Sequence, residues 1–408
     1  MIYQAYQTLA DLTDPFKLLA QQSAALLESP WFKHPQFDLP WLNKLTGSLD
    51  SYSRTRLSHK RPPFNIPFIK SGEERIKIHE EVIHRTAFCS LLRFAKEGVQ
   101  GQPKVLLVAP MSGHFATLLR GTIKTLLRDH DVYVTDWHNA RDIPLWEGRF
   151  DLDAYTRHVI DHLAAIGPGS HVVAVCQPTV ATLAAVSVMA ERNHPAQPAS
   201  MTLMAGPLDT RINPTAVNHL AKSKPIEWFE KNMIATVPLR YAGAFRRVYP
   251  GFVQLSAFMS MNLERHVQSF KDMATHHANG EHDKSKAIKD FYEEYFAMSD
   301  LPAEFFIETV ATVFQEHALP LGKLCYEGNP VSPAAIKRTA LLTIEGEKDD
   351  ICSIGQTVSA HDMCSSIRPY MKQHHVQTGA GHYGVFNGRR WDNEIYPILR
   401  DFVFSHQT

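Results

Sequence analysis

Between Ile2 and Leu27 the apolar residues Tyr6, Leu9, Leu12, Phe16, Leu19 and Leu26 recur at helical spacing, which predicts an amphipathic helix. Its apolar face is expected to pack on the body of the protein; the alternative is a face offered to an insoluble substrate or partner. A polar stretch through Arg61-Pro62-Pro63 then leads to two segments, Arg75 to Ile78 and Thr86 to Phe94, that read as paired strands. From Lys104 the pattern becomes an alternation. VLLVAP is strand, GTIKTLLRD helix, DVYVTDW strand, FDLDAYTRHVIDHLAAIG helix, HVVAVC strand, TVATLAAVSVMAERN helix and SMTLMAGPLD strand. Such alternation builds parallel βαβ units, and the unbroken apolar runs VLLVA and VVAV suit strands covered on both faces.

The alternation stops near Thr210. A mainly helical stretch rich in aromatics, from Trp228 and Phe229 to Phe305 and Phe306, runs to about Lys337, and two strand-like segments, TALLTIEGEKDD and HHVQTGAGHYG, follow. The expected organisation is an N-terminal helical and extended segment (1–74) packing on the core, the first part of an α/β core (75–209), a helical cap (210–337) and the second part of the core (338–408).

Composition narrows the class only a little. The chain has 408 residues, 44% hydrophobic and 21% charged, and its 42 basic residues equal its 42 acidic ones. Nothing in that balance points to nucleic acid or an anionic membrane. No apolar run is long enough to cross a bilayer, and the first residues lack the basic and apolar regions of a secretory signal. The five cysteines (Cys89, Cys176, Cys325, Cys352, Cys364) are odd in number and scattered, so a reducing, cytoplasmic setting is expected.

Three positions carry the chemistry. Cys176 ends the strand HVVAVC and opens a helix, Asp349 follows the strand LLTI, and His382 sits in GAGHYGVF after the last strand. Nucleophile, acid and histidine in that order, each at the carboxyl end of a strand, is the arrangement of the α/β-hydrolase fold. The imidazole would take the thiol proton, the acid would fix its tautomer, and the thiolate would attack an acyl carbonyl. Asp350 stands beside Asp349 as an alternative acid. The oxyanion would be held by the Gln177 amide and by the amide of Met111 or Ser112 in the loop APMSGHFATLLRG. No cofactor and no metal are expected: His79 and His84 in HEEVIH are five apart, not the four of a zincin helix, and THHANGEH has no regular ligand spacing. Cys89, Cys325, Cys352 and Cys364 read as structural. Neither GxSxG nor GxCxG occurs in the chain.

The chain resembles the intracellular polyhydroxyalkanoate (poly-3-hydroxybutyrate) depolymerases over nearly its whole length. The resemblance rests on MIYQAYQ, APMSGHFATLLRGT, VYVTDWHNARDIPL, AVCQPT, MAGPLDTRINPTAVN, VYPGFVQLSAF, TIEGEKDDICSIGQT and GHYGVFNGRRW. It implies a carboxylic-ester hydrolase with a cysteine nucleophile at Cys176, the acid at Asp349 and the base at His382, acting on amorphous polyester granules in the cytoplasm. It also implies an elbow in which Ala174 and Pro178 replace the usual glycines. The expected partner is the granule, with no nucleic acid and no membrane insertion, and a homo-oligomer is left open. The aromatic cap is expected to line a channel for the polymer. Two other readings stand beside this one: a synthase-like acyltransferase, against which the missing GxCxG counts, and a non-catalytic granule coat, which would need no Cys–Asp–His set.

Overall fold

The computed structural model describes residues 2–27, 29, 40–53, 57–71, 74–261 and 263–407, with a few side chains inside these spans, Phe258 among them, left aside. Nine strands form the central sheet: β1 (Phe68–Ser71), β2 (Glu74–Arg85), β3 (Cys89–Lys96), β4 (Lys104–Val108), β5 (Asp131–Trp137), β6 (His171–Val175) and β7 (Ser200–Met204), then β13 (Ala340–Gly346) and β14 (Lys372–Gln377) after the insertion described below. Their spatial order is β1-β2-β3-β5-β4-β6-β7-β13-β14. The pairs from β1 to β5 across β2 and β3 are antiparallel, and β5, β4, β6, β7, β13 and β14 run parallel. β6, β7 and β13 are buried along their whole length, as strands covered on both faces must be. β2 is mostly exposed. With its parallel core, its antiparallel first strands and its reversal of β4 and β5, this is the α/β-hydrolase fold.

That reversal positions the site. After β4 the chain crosses to β5 on one side, and later to β6 on the other, so a crevice opens beyond the carboxyl ends of β4 and β6. Helices α3 (Arg120–Leu126), α4 (Leu152–Ile166) and α5 (Thr179–Glu191) make the connections. Asp151 caps α4 by accepting from the Ala154 N–H at 2.9 Å.

Between β7 and β13 lies a largely helical insertion. It contains α6 (Ala216–Lys222), α7 (Ile226–Met233), α8 (Gly251–Met261), α9 (Leu263–Ala278), α10 (His282–Tyr295) and α11 (Ala303–Thr309). A small sheet of β8 (Ala235–Thr236), β9 (Arg247–Tyr249) and β10 (Leu301–Pro302), and a hairpin of β11 (Cys325–Tyr326) and β12 (Asn329–Pro330), complete it. Phe229, Tyr292 and Phe305, among the aromatics expected to line a channel, are buried. Phe305 stacks on Tyr155 of α4 with ring centroids 5.2 Å apart, so it joins insertion to core instead of facing substrate.

Among the described residues two helices, α1 (Ile2–Leu27) and α2 (Pro40–Ser53), precede the sheet. The apolar stripe of α1 does not pack as expected: Leu9, Leu12, Phe16, Leu19 and Leu26 are each more than 60% exposed. The adjoining face is buried instead, through Tyr3, Ala20 and Ala24. The cause lies at Tyr3, whose hydroxyl donates to the buried Asp300 carboxylate at 2.5 Å, and at the two alanines, which are small enough for close approach. Burial pushes the Asp300 carboxyl up from its ordinary value, while the Gly251 N–H and the Tyr3 hydroxyl pull the other way.

Crowding beneath β6 is relieved on the neighbouring strand. Thr179, the first residue of α5, lies against Gly206 after β7, where an added Cβ would come within 2.0 Å of the threonine Oγ1. Gly206→Ala should therefore destabilise the fold by about 1–3 kcal/mol, the usual penalty of overpacking. Urea unfolding checks this, and an unchanged midpoint would show that α5 can retreat freely.

Candidate active site

The strand β6 ends in a strained residue. Cys176 has φ of 67°, a conformation that costs a non-glycine residue about 1–3 kcal/mol. Its backbone is held on both sides. The Cys176 N–H donates to the Met204 carbonyl at 2.8 Å, and its own carbonyl accepts from the Thr179 N–H at 3.2 Å and from the Thr179 hydroxyl at 2.8 Å. Pro178 occupies the residue before α5 with φ of −67°, where its missing N–H costs nothing. A sharp strand-to-helix turn of this kind presents the side chain of its central residue at the sheet edge, and the Cys176 side chain is half-buried there.

Asp349 follows β13. Its side chain is fully buried, and one oxygen, Oδ2, lies 2.8 Å from His382 Nδ1. The other, Oδ1, accepts the backbone N–H groups of Ile351 at 2.9 Å and Cys352 at 2.8 Å. Asp349 and not Asp350 therefore faces the histidine. His382 opens a short 3-10 turn after β14, and with Nδ1 engaged its Nε2 is left for sulfur.

The structure brings together Cys176, Asp349, His382 and a fourth residue, Cys352, that the sequence pattern passes over as structural. The sulfurs of Cys176 and Cys352 and a ring nitrogen of His382 all lie within 4.8 Å of one another. A hydrogen bond from the Cys352 thiol is the main influence lowering the Cys176 thiol to about 5; burial opposes it, and the charge of His382 adds to it. Cys352 itself is pushed well above the ordinary thiol value by that bond and by burial. Burial would lower His382, but the charges of Cys176 and Asp349 and their hydrogen bonds outweigh it and hold the imidazole well above its ordinary value. Both shifts favour the thiolate–imidazolium pair.

The second expected element, the loop after β4, faces the elbow. The Met111 N–H points at the Gln177 side-chain oxygen 3.3 Å away, so that amide is engaged by Gln177 in this state. Trp137 Nε1 and the Tyr155 hydroxyl both donate to the Ala109 carbonyl, at 2.8 and 3.0 Å, pinning the loop where it leaves the sheet. Ser112 is half-buried beside Gly113, whose carbonyl accepts the Ser299 N–H at 2.7 Å. The insertion thereby straps the loop in place.

Another buried acid shapes the site without touching it. Glu345, near the end of β13, accepts the N–H groups of Gly355, Thr357 and Val358 at 2.7–3.1 Å. It folds the segment after Asp349 back on the strand. A separate cavity of about 440 Å³, lined by Arg61, Arg85, Asp136, Trp137, His138 and others, includes none of Cys176, Asp349 and His382.

The charge state of Cys176 has a direct readout. A lowered thiol value means that the thiolate is present above about pH 5 and is lost on acidification through it. Alkylation of Cys176 by iodoacetamide, followed on its own peptide by mass spectrometry, should thus persist to about pH 5. In Cys352→Ala the midpoint should rise by about 1–2 units, because a hydrogen bond to a charged group is worth about 1.5–3 kcal/mol. A midpoint that stays put in the variant would remove Cys352 from the account.

Residues 205–407 match the family model described as PHB de-polymerase C-terminus. No curated protein matches the chain. Among solved structures it is similar to 2-hydroxy-6-oxo-6-phenylhexa-2,4-dienoate hydrolase (BphD) from Rhodococcus sp. strain RHA1, at 13% identity over 80% of this chain and 99% of that one, with a TM-score of 0.46. It is also similar to a meta-cleavage product hydrolase from Pseudomonas fluorescens IP01, at 15% identity over 80% and 98% with a TM-score of 0.43. A thermophilic esterase from Thermogutta terrifontis gives 13% over 84% and 98%, with a TM-score of 0.41. Likenesses this distant bear on nothing here, and the fold stands on the strand order above. Residues 205–407, just under half of the chain, therefore belong with the PHB depolymerase family, and the protein is a carboxylic-ester hydrolase with the α/β-hydrolase fold.

Proposed function

We propose that the chain hydrolyses the ester bonds of short-chain poly(3-hydroxyalkanoate), poly-3-hydroxybutyrate first, through a covalent intermediate on Cys176. The observation that carries this reading is the Cys176 elbow at φ of 67° facing a His382 whose far nitrogen is held by buried Asp349 at 2.8 Å. The thiolate adds to the ester carbonyl carbon. Charge develops on the carbonyl oxygen, where the Gln177 amide and the Met111 or Ser112 amide would receive it, Met111 exchanging its bond to the Gln177 side chain for one to the oxyanion. The ester C–O bond breaks, and the departing alkoxide takes the proton of imidazolium His382. Water then adds to the thioester, giving a proton to His382; the C–S bond breaks, the acid leaves and the thiolate returns. Asp349 keeps the ring in the tautomer both steps use.

The insoluble substrate needs a second kind of contact. Leu9, Leu12, Phe16, Leu19 and Leu26 of α1 offer an exposed apolar stripe, and the helix carries only Asp11, Asp14 and Lys17 as charges, which suits an uncharged polyester in a cytoplasmic granule. Leu12→Glu with Phe16→Glu should lower co-sedimentation with amorphous poly-3-hydroxybutyrate at least about 10-fold, since each buried apolar side chain contributes about 1.5–3 kcal/mol. Hydrolysis of a soluble 3-hydroxybutyrate ester should be unchanged. Equal loss of both would mean the stripe serves the fold.

The reading as a whole is tested by mixing the protein with amorphous granules, following turbidity and released 3-hydroxybutyrate. The native protein should clear the suspension, and Cys176→Ala should lose at least about 1000-fold in rate while still binding granules. Clearing by both would dismiss Cys176 as nucleophile. Clearing by neither, with binding kept, would favour the granule coat, and polymer growth from hydroxybutyryl-CoA would favour the acyltransferase.

A further inference from the structure

The hydrolytic cycle uses one thiol, and the site holds two. Cys352 is buried, and its main chain is fixed by the N–H bond to Asp349 Oδ1 at 2.8 Å. Its sulfur, the Cys176 sulfur and a His382 ring nitrogen lie mutually within 4.8 Å. Two thiols and an imidazole are the soft ligands that zinc takes, at about 2.3 Å to sulfur and about 2.0–2.1 Å to nitrogen, in a tetrahedron whose ligand atoms stand roughly 3.5 Å apart. A contraction of at most about 1.3 Å from the limiting separation would close the three around an ion. The outer shell is already built. A metal-binding histidine characteristically gives its other ring nitrogen to a carboxylate, and His382 Nδ1 meets Asp349 Oδ2 at 2.8 Å. The same carboxylate carries the Cys352 backbone, so one group orients two of the three ligands.

Charge also fits. Two thiolates and a neutral imidazole offset a divalent cation, so the ion adds no net charge beyond that of the Asp349 carboxylate already bonded to His382. Binding displaces the protons that the three ligand atoms carry and breaks no other bond. The fourth position would fall to water.

We propose that Cys176, Cys352 and His382 form a binding site for a thiophilic divalent cation, Zn²⁺ in the cell, whose occupancy stops turnover by taking both the nucleophile and the base. The site stands on this geometry; its effect on turnover rests on the reading of Cys176 as the nucleophile.

The test uses the full chain, freed of metal by a chelator that is then removed, with Cys352→Ser, Cys176→Ala and, as a control, Cys325→Ser at an exposed cysteine. Cd²⁺ is titrated in and the thiolate-to-metal charge-transfer band in the ultraviolet is read. The native chain should bind one Cd²⁺, Cys325→Ser should match it, and Cys352→Ser and Cys176→Ala should each lose about half the band and at least about 10-fold in affinity. Zn²⁺ should then inhibit hydrolysis of a soluble ester reversibly, with Cys352→Ser needing at least about 10-fold more. An undiminished band or an unchanged affinity in Cys352→Ser overturns the site, as does the absence of any band. A band halved in both variants, together with full turnover by the metal-loaded enzyme, upholds the site and overturns Cys176 as nucleophile instead.

Discussion

A carboxylate with no exposure to water must find donors for all of its charge, and Asp349 finds three. His382 takes one oxygen, and the Ile351 and Cys352 amides take the other. Left unmatched, a buried carboxylate would neutralise itself or unfold its surroundings. The solution dictates the local chain: the two residues beyond Asp350 must turn their N–H groups inward, and that turn delivers the Cys352 side chain to the Cys176 sulfur. Glu345 repeats the device on the same strand, drawing three further amides onto one buried acid. Two carboxylates thus organise the loop that carries the acid, the second thiol and the contact to histidine.

The residue at the elbow is held by opposite means. Cys176 sits in a strained backbone well, and the strain persists because the Met204 carbonyl and Thr179 fix the peptide groups on either side. An elbow of the G-x-S-x-G type relieves its crowding within the motif. Here Ala174 and Pro178 fill those places, and the relief lies at Gly206 on the next strand, whose bare Cα admits Thr179. The crowding rule holds, but the glycine that satisfies it is distant in sequence.

That displacement explains which features can be read from the chain alone. Strands such as VLLV and HVVAV are legible because covering both faces demands unbroken apolar runs. The order Cys176, Asp349, His382 is legible because each follows such a run. Cys352 is not, since its approach depends on hydrogen bonds made by backbone amides, to which sequence patterns are blind. The same Asx turn selects Asp349 over Asp350, two identical side chains next to each other. The α1 stripe misleads for a different reason. Helical periodicity reports an apolar face but not its neighbour, and one buried hydroxyl–carboxylate bond from Tyr3 to Asp300 outweighs it in setting which face turns inward.

Asp300 ties the periphery to the chemistry. Its backbone N–H donates to Asn139 Oδ1 at 3.0 Å, its carbonyl accepts from the Ala140 N–H at 3.1 Å, and its side chain holds Tyr3 and the Gly251 amide at 2.5 and 2.8 Å. One residue earlier, Ser299 bonds the Gly113 carbonyl, and one before that, Met298 bonds Ser58 and bridges to His114. Three consecutive residues therefore brace α1, the start of α8 and the loop bearing Met111 and Ser112. A buried acid so fully bonded cannot shift without breaking several hydrogen bonds at once, each leaving a desolvated group behind. The helix that exposes the apolar stripe and the loop that faces Cys176 are accordingly fixed to one rigid strut, so the amides of that loop are held in place before any ligand arrives.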